Sequence, residues 1–226
     1  MSQTASLLTA PPVLPLIAPS ILSADFANLG AECQAAFAGG ADFLHLDVMD
    51  GHFVPNLTMG PALCQSLRNQ FPDAYLDVHL MVQNPMEYIE SFAKSGGNLF
   101  TGHIEADCNP KEFADAIHNQ GMDAGLAINP PTDVEEILPW VGAFDLILVM
   151  SVNPGFSGQA FIPEVLSKVK TIKPLLRANQ RLQMDGGVSL ATCEACKNAG
   201  CDTLVAASAI FKTDDYASAI TGLREG

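Results

Sequence analysis

The chain has 226 residues, 48% of them hydrophobic, which suffices for one sizeable core and does not demand a second domain. It carries 25 acidic against 11 basic residues, a net charge of -14, and the resulting field repels nucleic acid and anionic membrane surfaces. A small phosphate ester is not excluded, because a local ring of backbone N–H groups can hold an anion that the overall charge disfavours.

Residues 1–15 hold neither a basic cluster followed by a long apolar run nor the Arg-rich pattern of a transit peptide. They are expected to form a flexible, proline-broken tail ahead of one catalytic domain over 16–226. From there, short aliphatic or β-branched runs alternate with segments of helical period, the pattern of repeated β-α units around a parallel sheet. Strands are predicted over 16–20, 43–48, 75–82, 99–105, 123–128, 146–150, 181–184 and 203–206. Helical segments over 28–38, 61–70, 85–95, 110–119, 161–176 and 189–199 lie between them, several opened by Pro or Ser as a helix start favours. Glycines at 39–40, 96–97, 121 and 200 follow four of these segments, where a left-handed C-terminal cap is cheapest with glycine.

Eight strands with eight helices predict the α/β class and a single-domain (β/α)8 TIM barrel. An open doubly wound sheet is the rival, although no Gly-x-Gly-x-x-Gly turn follows an early strand. No stretch approaches the roughly 20 uninterrupted apolar residues of a spanning helix, so no membrane partner is expected. The six cysteines, scattered through a chain that can be stable without staples, point to free thiols and a cytoplasmic protein.

In such a barrel, function gathers where strands end at the C-terminal mouth. The second strand ends in His45-Leu46-Asp47-Val48-Met49-Asp50-Gly51, and the alternation of side chains puts His45 and Asp47 on one side. The third strand offers Asp77-Val78-His79-Leu80-Met81 and the seventh ends Met184-Asp185-Gly186-Gly187. A mixed set of His45, Asp47, His79 and Asp185 suits a borderline divalent cation such as Zn2+, Mn2+, Fe2+ or Co2+. The alternative is two core histidines paired with neighbouring carboxylates. Asp50 and Asp77 read as turn, helix-start or solvent-facing residues.

After the sixth strand comes Ser151-Val152-Asn153-Pro154-Gly155-Phe156-Ser157-Gly158-Gln159, in which two glycines beside a proline can hold N–H groups in a concave nest. Gly186-Gly187 and Ala207-Ser208 follow the seventh and eighth strands, where barrels often bind phosphate. None of the three loops carries Lys or Arg, so anion binding there would be dipolar; a plain tight turn is the alternative.

Read together, Ala18-Pro19-Ser20-Ile21-Leu22-Ser23-Ala24-Asp25, the run from His45 to Asn56, His79-Leu80-Met81-Val82, Val149-Met150-Ser151-Val152-Asn153-Pro154-Gly155-Phe156 and Asp185-Gly186-Gly187 resemble the ribulose-phosphate 3-epimerase family. The resemblance runs in order from about Ile17 to the last helix. It implies interconversion of D-ribulose 5-phosphate and D-xylulose 5-phosphate at C3, in the pentose phosphate pathway, by two-carboxylate proton transfer through a metal-stabilised enediolate. It also implies one divalent cation per subunit on His45, Asp47, His79 and Asp185, with Asp47 and Asp185 as the acid–base pair. Substrate contacts would come from Ser20, His79, Met49, Met81, Met150, Gly155, Phe156, Ser157, Gly158, Gly186, Gly187, Ala207 and Ser208. The partner is then a small sugar phosphate, with no nucleic acid and no membrane.

Three departures from the family pattern bear on phosphate binding, because a Cβ narrows the backbone approach. Ser157 and Ala207 stand where glycine is common, and Asn129 with Pro131 alters a Lys-Pro-Gly-like stretch after the fifth strand. Epimerisation of a six-carbon ketose phosphate such as D-allulose 6-phosphate, and a non-catalytic sugar-phosphate-binding barrel, are the competing functions. Metal-dependent hydrolysis would need a further carboxylate to poise a water. Phe53-Val54-Pro55 is read as an exposed apolar segment at a subunit contact or lid of a homo-oligomer. Cys193, Cys196 and Cys201 read as small buried apolar residues, His103 as packing or hydrogen bonding behind the ligands, His52 as ordering its loop and His118 as surface.

Overall fold

The computed structural model describes residues 7–226. Its strands are β1 (Leu16–Pro19), β2 (Leu44–Met49), β3 (Leu76–Met81), β4 (Leu99–His103), β5 (Asp123–Ile128), β6 (Leu146–Met150), β7 (Arg181–Asp185) and β8 (Thr203–Ala206). All pair in parallel in the order β1-β8-β7-β6-β5-β4-β3-β2, the single-domain TIM barrel expected. Its last seam, between β1 and β2, carries one isolated bridge, Ser20 to His45, in place of a ladder. Asp42 reinforces it: its Oδ2 accepts from the Ile17 N–H at 2.7 Å and its N–H donates to the Ile17 carbonyl at 3.0 Å.

Helices α1 (Leu29–Ala38), α2 (Pro61–Gln70), α3 (Ile89–Lys94), α4 (Pro110–Asn119), α5 (Leu166–Ile172), α6 (Cys193–Ala199), α7 (Ser208–Phe211) and α8 (Tyr216–Glu225) wrap the sheet. Pro61 and Pro110 sit in the first turn, where their missing N–H is no loss, and the Asn109 side chain caps α4 by accepting from Lys111 N and Glu112 N at 2.9 and 3.2 Å. The count of eight helices holds, but not their pairing with strands. Among the described residues β5 is followed only by 3-10 turns, Val134–Glu136 and Leu138–Ala143, and β8 by both α7 and α8. Pro139 and Gly142 in the second of those turns disfavour an α-helix there. Among the described residues no helix is long and apolar enough to cross a membrane.

Two apolar layers result. Residues facing outward from the strands, such as Leu46, Val78, Phe100 and Ile147, pack under the helices. Leu16, Ala18, Phe43, Leu99, Leu146, Leu148 and Val205 fill the barrel's interior together with Leu8. Leu8 is fully buried and its carbonyl accepts from Arg181 Nε at 2.6 Å. The segment read as a loose tail is therefore anchored at Leu8; residues 1–6 lie outside the described residues. All six cysteines are free, and Cys193, Cys196 and Cys201 are buried as small apolar groups.

Candidate metal centre and substrate cavity

Strand register does most of the assembly. In β2 and β3, His45 pairs with Asp77, Asp47 with His79 and Met49 with Met81, so adjacent parallel strands present their inward side chains in matched rows. Across the barrel, Met150 of β6 pairs with Asp185 of β7. The outcome is a buried cluster in which one ligand atom from each of His45, Asp47, His79 and Asp185 lies within 4.8 Å of the others. His45 Nε2 stands 3.2 Å from His79 Nδ1, 3.3 Å from Asp47 Oδ1 and 3.8 Å from Asp185 Oδ2. His79 Nδ1 stands 3.1 Å from Asp47 Oδ1 and 3.7 Å from Asp185 Oδ2. Ligands about 2.1 Å from one ion sit roughly 3.4 Å apart when tetrahedral, so these spacings fit a cation without rearrangement. The donor set, two imidazoles and two carboxylates, suits a borderline divalent metal.

A second row orients the first. His45 Nδ1 is 2.7 Å from Asp77 Oδ2, which also accepts from Gln183 Nε2 at 3.0 Å. Asp77 is fully buried, so its reading as a turn or solvent-facing residue is corrected: it faces the barrel axis two residues before His79 and braces His45. Asp50 does hold a turn, accepting from the N–H groups of His52 and Phe53 at 2.8 and 2.9 Å. His103 Nε2 lies 2.8 Å from His79 Nε2, a hydrogen-bonding position behind the cluster as expected. Ser20 Oγ donates to Asp47 Oδ2 at 2.5 Å.

The cluster's charges are strongly interdependent. Burial opposes the ionised form of Asp47, but the neighbouring His45 outweighs it and holds the carboxyl far below its usual range. Burial, then the Asp47 charge, pushes Asp185 up to about 7. Burial opposes protonation of His45, yet Asp77 and Asp47 prevail and hold it well above the ordinary histidine value. Burial lowers His79, and takes His103 down to about 4. Two carboxyl groups on one floor thus differ widely in proton affinity, the condition for one to take a proton while the other gives one.

Above this floor opens a cavity of about 440 Å³, lined by Ser20, Asp47, Met49, Met81, Met150, Gly155, Phe156, Ser157, Gly158, Asp185, Gly186, Gly187, Ala207 and Ser208. Every residue expected to contact substrate lines it except His79, which is fully buried behind Asp47 and Asp185. Val152, Phe161 and Val188 also line it. Val152 belongs to the loop already singled out after β6, whereas Phe161 and Val188 carry no chemical signature and only the fold reveals them. Gly186 and Gly187 have φ of 109° and 62°, and a Cβ on Gly187 would meet the Phe161 backbone N at 2.8 Å. Ser151 Oγ donates to the Asp185 and Gly186 carbonyls at 3.0 and 2.5 Å, tying the loop after β6 to that after β7. Asn56 Nδ2 donates to the Gly155 carbonyl at 2.7 Å, joining the loop after β2 to the same rim. Phe53 and Val54 are not an exposed patch. Val54 is buried against Met49 and Met81, and the Phe53 ring packs 5.0 Å from that of His103. His52 orders its loop through Nδ1, 3.0 Å from the Asp50 carbonyl, and His118 is a surface residue whose Nε2 lies 2.7 Å from Asp145 Oδ2.

Comparison with known proteins agrees with this geometry. Residues 16–211 match the model of the Ribulose-phosphate 3 epimerase family. The chain is 47% identical over 213 residues to the ribulose-phosphate 3-epimerase of Mycobacterium bovis, covering 93% of this chain and 92% of that one. It is 46% identical over 213 residues to the cytoplasmic isoform from Oryza sativa subsp. japonica, covering 92% of each. The fold is similar to that of KGPDC from Streptococcus mutans, with a TM-score of 0.69 at 16% identity over 93% of this chain and 96% of that one.

Proposed function

This chain belongs to the ribulose-phosphate 3-epimerase family, and from that premise we infer that it interconverts D-ribulose 5-phosphate and D-xylulose 5-phosphate by moving the proton at C3. In this reading His45, Asp47, His79 and Asp185 hold one divalent cation, Zn2+, Fe2+, Mn2+ or Co2+. When bound, the ion would act as a Lewis acid that makes the hydrogen beside the ketone acidic enough for a carboxylate to remove. Asp47 and Asp185 then serve opposite faces of C3: one removes the proton and the other returns one. What supports the pairing is that both carboxyls line one cavity from different strands, while burial and the Asp47 charge push Asp185 alone up to about 7.

Met49, Met81 and Met150 give the reacting carbons a polarisable, water-poor wall. Ser20 fixes Asp47 through its 2.5 Å hydrogen bond. The loops holding Gly155, Phe156, Ser157 and Gly158, Gly186 and Gly187, and Ala207 and Ser208 would carry the phosphate on backbone dipoles, far enough from C3 to orient the sugar. A cytoplasmic location fits six free thiols, and homo-oligomerisation belongs to the same reading, with Leu57 78% exposed beside the loop after β2.

The deciding measurement is deuterium exchange from solvent into C3 of D-ribulose 5-phosphate, followed by proton NMR. Asp47→Asn and Asp185→Asn should each reduce it at least about 10³-fold. Exchange at near wild-type rate in either variant, or faster turnover of D-allulose 6-phosphate than of the pentulose by the unmodified chain, would overturn the assignment.

A further inference from the structure

Behind His79 lies a chain of groups that the proposed reaction does not use. His79 Nε2 and His103 Nε2 are 2.8 Å apart, and the two rings lie near one plane, 23° from parallel, with centroids 5.0 Å apart. His103 Nδ1 is 3.3 Å from Glu105 Oε2. The other Glu105 oxygen, Oε1, accepts from the Asn129 N–H at 2.8 Å and from Thr132 Oγ1 at 2.5 Å, so the carboxylate is fixed from two sides. Lys168 Nζ donates to the carbonyls of Asn129, Pro130 and Thr132, which holds that loop in place. The Phe53 ring packs against His103 with centroids 5.0 Å apart, which hinders rotation of the imidazole.

We infer that Glu105 and His103 form a relay that fixes the tautomer of His79, placing its proton on Nε2 and leaving the Nδ1 lone pair facing Asp47 and Asp185. An ionised carboxylate only accepts, so the hydrogen between Glu105 and His103 sits on His103 Nδ1. A neutral His103 then has a bare Nε2, and the hydrogen in the 2.8 Å contact must belong to His79 Nε2. His79 Nδ1 is therefore an acceptor, 3.1 Å from Asp47 Oδ1, which is also an acceptor. In the metal-free cluster His45 Nε2, 3.2 Å from His79 Nδ1 and 3.3 Å from Asp47 Oδ1, faces both acceptors and can supply the hydrogen they need, and the relay leaves the His79 Nδ1 lone pair available for a cation to take over. With the proton on His79 Nδ1 instead, that nitrogen would donate to Asp47 and could not act as a ligand. Glu105 and His103 are thus positioning residues, outside the set that touches the ion. This inference rests on the reading of the four-residue cluster as a metal centre, and its usual form, a ligand histidine braced by a carboxylate, is extended here by an interposed imidazole.

The test uses the full chain, 15N-labelled and freed of metal by chelation, because a cation on His79 Nδ1 would fix the tautomer by itself. Long-range proton–nitrogen spectra should show His79 protonated at Nε2 and bare at Nδ1. Separately, Co2+ titrated into chelator-treated protein and followed by its visible absorption should bind 10- to 100-fold more weakly to His103→Phe and to Glu105→Ala. His103→Gln, whose amide oxygen can accept from His79 Nε2–H, should keep wild-type affinity. A proton on His79 Nδ1 in the unmodified chain overturns the relay even if the variants fail to fold. So does full Co2+ affinity in folded His103→Phe. Failure of the unmodified chain to bind Co2+ would instead remove the metal centre, and the His79 spectrum of the metal-free chain would still decide the tautomer.

Discussion

Asp185 and His45 both favour their protonated forms in the metal-free cluster: burial pushes Asp185 up to about 7, while Asp77 and Asp47 hold His45 well above its ordinary value against the pull of burial. A cation must displace those protons, so apparent metal affinity should weaken as pH falls through about 7 and strengthen as it rises. Calorimetry in two buffers of different ionisation enthalpy should find more than one proton released per ion near pH ~6 and fewer at higher pH; pH-independent binding would contradict the charge balance described. Asp77→Ala leaves the His45 Nδ1–H without its buried acceptor, and should cost about 10- to 100-fold in metal affinity without removing a ligand. Of the four residues of the candidate metal centre, His45 and Asp47 were legible together in the sequence because, two apart on one strand, they must share a face. The same period applies to Asp77 with His79, to Gln183 with Asp185 and to His103 with Glu105. It went unused for the supporting members because a lone buried carboxylate or amide has no motif, and its partner lies on another strand.

Loops decide how the phosphate end is held. Among the described residues no non-glycine has positive φ, so Ser157 and Ala207 take their places without left-handed strain, while their Cβ atoms still narrow the approach to the backbone. Gly187 is different: Gly187→Ala forces φ of 62° on a side chain and drives its Cβ to 2.8 Å from Phe161 N. Stability should fall by about 1–2 kcal/mol. KM for the sugar phosphate should rise while kcat changes less, a split that steady-state kinetics will read; unchanged KM would detach this loop from the phosphate. Strands were readable almost to the residue, because buried parallel strands are continuous apolar runs bounded by glycine and proline. Helices were less so. The 161–176 segment breaks into a 3-10 turn at Pro163–Val165, a helix over Leu166–Ile172 and a second 3-10 turn at Lys173–Leu175, since a proline opens each of the two short turns. The stretch after β5 runs as two 3-10 turns, Val134–Glu136 and Leu138–Ala143, where Pro139 and Gly142 disfavour an α-helix.

Across the barrel as a whole, Leu8 reaches back into the interior from a segment whose sequence gives no sign of order, because its anchors are long-range: the apolar cluster with Leu16, Phe43 and Leu99, and Arg181 on its carbonyl. Leu8→Ala should destabilise the protein by about 2–4 kcal/mol, seen as a lower midpoint of thermal or urea unfolding; no change would mean the segment is dispensable. The net charge of -14 meets an anionic substrate with no lysine or arginine in the loops proposed to hold its phosphate. Added salt should therefore raise kcat/KM modestly by screening the repulsion, opposite to an enzyme that steers its substrate with basic side chains. Closure of the barrel at β1 and β2 rests on one bridge and on Asp42. In heavy water, the amides flanking this join should lose their protons sooner than those of β3 or β6, and because Ser20 holds Asp47 across it, each transient parting of the staves would unsettle the carboxylate that the chemistry depends on.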